Sequence, residues 1–175
     1  MADDLGGFSG FAAAQSRPLM RAALALTSDF HAAQDLVQET LVRMFENWAR
    51  VRGDLIESPE AYAKVVLVRT YVSQRRKRSS WEKPLGIAAD GPEEADDPAL
   101  RVDMAKALAT LRAKDRAVLV LRFLCDRSVE QVAADLGISP GNVRSQTKRA
   151  LERLRAVIGQ AALLESCPVD DAYSA

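Results

Sequence analysis

At 175 residues, 48% hydrophobic and 27% charged, the chain has the balance of a soluble globular protein, with room for one ordinary domain or two small ones. Its longest apolar runs, such as Val65 to Val68 and Ala117 to Leu121, are too short to cross a bilayer, and the Met-Ala-Asp-Asp start lacks the basic and apolar stretches of a secretory leader; the expected place is the cytoplasm, with no membrane insertion. One histidine, His31, two unclustered cysteines, Cys125 and Cys167, and no Gly-rich phosphate loop leave no enzyme constellation, metal site or cofactor site to propose.

The period is helical nearly everywhere, and no alternating β-branched run is flanked by hairpin turns. A first helical stretch is expected from Phe8 to Thr27, with Pro18 interrupting it and starting its second half. The second runs from about His31 to Arg50, with Ala33, Leu36, Val37, Leu41, Met44, Phe45 and Trp48 on its inner face. His31 beside its start reads as a surface or capping residue. Ser58 and Pro59 then open a third helix that extends to about Arg78. Residues 79–98 carry prolines, glycines and the acids Glu93, Glu94, Asp96 and Asp97, and read as a linker. Four short helices follow, at about Leu100 to Leu111, Ala113 to Cys125, Val129 to Leu136 and Pro140 to Val157. The expectation is an all-α protein of two small helical domains, 1–78 and 99–159, with a tail over 160–175.

Residues 128–155 carry the strongest local signal. Ser128 caps a helix and Gln131 completes a capping box; Gly137 suits a left-handed turn; Ser139 and Pro140 open the next helix. Val143, Ala150, Leu151 and Leu154 would then face inward, leaving Asn142, Arg144, Ser145, Lys148 and Arg149 outward. This is a helix-turn-helix whose second helix offers a polar, basic face to a DNA groove. Zero net charge does not oppose this, because the cations gather locally, there and at Arg75, Arg76, Lys77 and Arg78.

The segment Asp35-Leu36-Val37-Gln38-Glu39 within SDFHAAQDLVQETLVRMFENW resembles region 2.2 of bacterial sigma factors of the small, extracytoplasmic-function type, in its actinobacterial sigma-E-like group. SPEAYAKVVLVRTYVSQRRKR resembles regions 2.3 and 2.4, and residues 107–155 resemble region 4. Regions 1.1 and 3 have no counterpart, as in that group. The resemblance implies a non-enzymatic subunit that binds core RNA polymerase and directs it to promoter DNA. It implies that Asp35, Gln38 and Glu39 dock on the β′ clamp helices and that the second domain meets the β flap. It aligns Arg144, Ser145, Lys148 and Arg149 with positions that meet the −35 element; on the same helix, Arg153 is placed to meet phosphate, and Asn142 to meet a base or a phosphate. The loop from Val51 to Ser58, with Arg52, and the third helix, with Arg69, Arg75, Arg76 and Arg78, would serve the −10 strand. Two departures stand out: Arg69 where relatives often carry Asn, and Gln74 and Arg75 where they often carry Trp. An anti-sigma factor is left open as a further partner. The alternative, a helix-turn-helix regulator that binds DNA without joining the polymerase, leaves the Asp35 to Glu39 ridge without a task.

Overall fold

The computed structural model describes the backbone of residues 2–53, 56, 58–78 and 98–165, and the side chains within 7–53, 56, 58–77 and 104–159. The elements described are helices: α1 (Ala2–Thr27), α2 (Phe30–Glu46), α3 (Trp48–Val51), α4 (Pro59–Arg78), α5 (Pro98–Ala109), α6 (Ala113–Leu119), a π-helical turn (Val120–Leu124), α7 (Val129–Leu136) and α8 (Pro140–Glu165). Residues 79–97 of the expected 79–98 linker and the end of the tail, including Cys167, lie outside the described residues, as do Asp54, Leu55 and Glu57 of the expected −10 loop; Pro98 opens α5.

Local chemistry sets most boundaries. Asp29 opens α2 by accepting from the Ala32 amide at 2.7 Å, so His31 is an exposed surface residue and not the cap. Ser58 caps α4 through the Ala61 amide at 3.1 Å. Pro18 does not divide the first helix; α1 runs through it. The carbonyl that Pro18 cannot serve belongs to Ala14, which is exposed, so water can take the place of the lost donor. The second expected helix does break, at Asn47, whose side chain turns back to the Arg43 carbonyl at 2.9 Å, and the last residues of that stretch form the separate turn α3.

On α2 the inner face is Ala33, Leu36, Val37, Thr40 and Met44. Phe45 is instead 46% exposed. It packs at a tilt against Phe8, which meets Trp48 edge-on, and with Phe11 these rings tie the early part of α1 to the end of α2 and to α3. Thr40 is tolerated in the core because its hydroxyl donates to the Leu36 carbonyl at 2.7 Å.

Helices α1 to α4 form one module and α5 to α8 a second. The main core does not stop at the boundary: Leu19, Leu26, Leu67, Val68 and Tyr71 of the first share one buried cluster with Ala117, Val118, Leu121, Val132 and Val143 of the second. A smaller cluster, Leu111, Leu119 and Ala150, closes α5 and α6 onto α8. Contacts between the modules run from α1 to α5 and α6, and from α4 to α6 and α7.

Candidate functional site

The helix-turn-helix is built as its sequence dictates. The Ser128 hydroxyl accepts from the Gln131 amide at 3.0 Å and the Gln131 side chain accepts from the Ser128 amide at 2.9 Å, a reciprocal cap on α7. Gly137 turns the chain at φ 65°, a conformation that costs a side-chain-bearing residue energy. Ser139 accepts from the Asn142 amide at 3.2 Å and starts α8. Val132 and Val143 are fully buried between the two helices, which fixes their crossing.

That crossing leaves Asn142, Arg144, Ser145, Lys148, Arg149 and Arg153 exposed on α8. Arg144 and Lys148 are one turn apart on one face. Arg144 pairs with Glu130 of α7 at 3.3 Å, both side chains about two-thirds exposed, and Lys148 approaches Glu152 at 3.9 Å. Such exposed pairs are weak, so they hold the side chains only loosely. A cleft of about 400 Å³ on the same helix is lined by Arg122, Arg144, Lys148, Arg155, Val129 and Leu151.

Two features below α7 escaped the sequence reading. Arg127 makes a two-pronged ion pair with Asp135, at 2.9 and 3.2 Å, with side chains only 22% and 11% exposed. The π-helical turn before it ends at Cys125, whose amide reaches back five residues to the Val120 carbonyl at 3.0 Å, and Asp126 follows at φ 50°. Neither a short ion pair across α7 nor a π turn leaves a mark in residue periodicity. Burial pushes the Cys125 thiol above its ordinary value, opposed by Lys64 and Arg127.

On the first module, Asp35 and Gln38 lie exposed on the outer face of α2, opposite the buried stripe. Glu39 is half-buried and engaged. Its carboxylate accepts from Arg43 at 2.6 Å and from Gln74 of α4 at 2.5 Å. Burial pushes the Glu39 carboxyl up, but the hydrogen bonds from Arg43 and Gln74 and the charges of Arg43 and Lys77 outweigh it, leaving it below the usual carboxylate range. The sequence places Glu39 on the ridge but does not show this tie to α4. A cleft of about 590 Å³ between α2 and α4 is floored by Glu39, Val42, Tyr62, Val66, Arg69 and Thr70.

Of the five arginines expected at the −10 strand, the four whose side chains are described do not form one patch. Arg69 and Arg76, seven residues apart, are exposed and share a face of α4. Arg75 points round the helix to stack over the Tyr71 ring, 5.6 Å from its centroid. Arg52 sits beyond α3, next to Gly7 of α1. The Arg78 side chain lies outside the described residues.

Among the described residues, no group of His, Cys, Asp and Glu could hold a metal ion, and no helix is long and apolar enough to cross a membrane. The fold and sites therefore define a two-module helical protein with an exposed polar ridge on one module and a basic helix-turn-helix on the other.

Comparison with known proteins gives that description a family. Residues 12–80 match the model for sigma-70 region 2, and residues 107–156 match sigma-70, region 4. The RNA polymerase sigma-E factor of Streptomyces coelicolor is 35% identical over 153 residues, covering 85% of this chain and 84% of the relative. The ECF RNA polymerase sigma factor SigL of Mycobacterium tuberculosis is 33% identical over 147 residues, covering 80% and 82%. Among solved structures, the sigma factor RpoE in complex with the anti-sigma factor NepR, from Bartonella quintana, superposes with a TM-score of 0.68 at 25% identity, covering 87% of this chain and 97% of that one. The chain belongs to the sigma-70 family of RNA polymerase sigma factors, in its extracytoplasmic-function group.

Proposed function

We propose that the chain joins core RNA polymerase through its first module and directs it to promoters by reading the −10 and −35 elements. The observation that carries this reading is the pairing, in one chain, of an exposed region 2 ridge with an exposed basic α8 on a region 4 helix-turn-helix. A DNA-binding regulator would need only the second. The polymerase performs the chemistry, and this chain supplies the address and holds the strand. Asp35 and Gln38 are the residues free to meet the β′ clamp helices; Glu39 acts there while tying α2 to α4. Arg144 and Lys148 read the −35 major groove, Asn142, Ser145, Arg149 and Arg153 support it, and Arg69, Arg76 and Arg78 follow the −10 strand backbone, with Arg52 and Arg75 at its edges. The Bartonella sigma factor is in complex with an anti-sigma factor, which supports a protein of that kind as a further partner. No cofactor is required, and the cytoplasm, where the polymerase works, is the place of action.

The test is transcription from purified parts. Core polymerase with this chain should start transcripts at defined promoters that core alone ignores. The double variant Asp35→Lys and Gln38→Lys, altered only at exposed positions, should keep its helicity and lose co-purification with core. Normal core binding by that variant would remove the ridge from the interface. Tight duplex binding by the chain alone, with no core-dependent initiation, would favour the regulator reading.

A further inference from the structure

The two modules are joined by side chains that the sequence assigns to other tasks or to none. Arg116 of α6 is only 5% exposed. Its Nη1 donates to the Leu26 carbonyl in the last turn of α1 at 2.5 Å, and its Nη2 to the Leu111 carbonyl at 3.2 Å. Arg69 of α4 donates through Nε to the Asp135 carbonyl in the last turn of α7 at 2.6 Å. Leu26 and Asp135 lie at helix C-terminal ends, where carbonyls have no intrahelical partner and the helix dipole favours a cation. Beside Arg116, the Ser28 hydroxyl donates to the Ala105 carbonyl at 3.1 Å.

We propose that Arg69 and Arg116 form an interdomain clasp: in the free protein they hold the helix-turn-helix module shut against α4, and Arg69 passes to nucleic acid only when the modules part. This rests on the reading of α4 as the −10 helix. Three observations support it. First, Arg69 cannot track a DNA backbone in the normal way while α7 packs on α4 and its Nε is committed to Asp135. Second, sites named for positions −10 and −35 are separated by about 25 base pairs, roughly 85 Å of duplex at about 3.4 Å per pair. Modules whose helices touch cannot span that distance, so the closed arrangement is not the promoter-bound one. Third, the seam is held but not sealed. Arg116 Nε has no partner, although it is buried, which charges the closed state a penalty, and the Arg69 bond is exposed and open to salt.

A closure probe tests this in the full chain. Ser28→Cys and Ala105→Cys are introduced with Cys125→Ser and Cys167→Ser, and oxidised glutathione is added. The two thiols give up two protons and two electrons, the glutathione disulfide is reduced, and the rate of cross-linking reports how often the modules are shut. The parent should close rapidly. Adding Arg69→Ala should slow closure roughly two- to five-fold, and Arg116→Ala roughly tenfold or more, as expected for an exposed and a buried charge-assisted bond. Core polymerase should slow it as well. The cross-linked chain should lose initiation, and dithiothreitol should restore it. Closure at the parent rate in Arg69→Ala, an exposed change that leaves the core intact, overturns the role of Arg69. Full initiation by the cross-linked chain overturns closure as an off state. A reduced parent that never initiates would count against the proposed function instead, and the closure rates would still judge the clasp.

Discussion

At the scale of single residues, side chains with two obligations dominate. Glu39 is named on the docking ridge by its sequence, yet in the structure it also fastens α2 to α4 by accepting from Gln74. Its carboxyl is held below the usual carboxylate range, so its ionised form stabilises the fold above its ordinary pKa of about 4.3, and that contribution is lost as pH falls through the lower folded value. Glu39→Gln should therefore lower the melting temperature at pH 7 and converge on the parent only once the pH has fallen below the lowered folded value, where both side chains are neutral. Thermal melts across that range would show it; a gap that stays constant with pH would mean the carboxylate charge is irrelevant. Gln74 follows the same logic. Its amide is spent on Glu39, so this part of α4 serves the module's own architecture.

At the scale of elements, α7 and α8 show how far a sequence can be read. Ser128, Gln131, Gly137 and Ser139 each have a local preference that agrees with the fold, so caps and turn were legible to within a residue. The outward face of α8 was equally legible, because a buried stripe of Val143 and Ala150 leaves only one face for Arg144 and Lys148. Helix α4 was less so. Its start at Ser58 was clear, but its four arginines gave no sign that Arg75 stacks on Tyr71 while Arg69 leaves for another module. For α8 the consequence is testable. Arg144→Ala should cost about 1–3 kcal/mol of holoenzyme binding and relax preference at one −35 position, since its planar fork suits a guanine edge. Arg153→Ala, further along, should weaken all sequences alike and lower the salt slope by about one. Binding to a library randomised across the −35 element, at two salt concentrations, separates the two; unchanged preferences in Arg144→Ala would move the reading face elsewhere on α8.

At the scale of the whole molecule, the shared core is what the sequence hid. A linker-like composition between two helical segments predicts two modules, and both are present. Nothing in periodicity says that Leu26 and Arg116, ninety positions apart, will meet, because contacts of that range follow from packing and not from local preference. Because Leu67, Val118, Val132 and Val143 belong to one buried cluster, the free chain should unfold as a single cooperative unit. In a Trp81→Phe background, circular dichroism and tryptophan fluorescence should give one coincident transition, since Trp48 then reports on the first module alone and helicity on both. Two separated transitions would mean the seam carries little of the stability.

Arg116 also gives the seam a temperature dependence. Stripping water from a buried cation becomes less costly on warming, because the hydration of charged groups is entropically unfavourable. Apolar contact, which surrounds Arg116 in the same seam, is likewise weakened by cold. Both effects run in one direction, so within the folded range the modules are drawn together more firmly by heat and loosened by chilling. On the clasp proposed above, core polymerase would therefore work against a firmer seam in a warm cell than in a cold one.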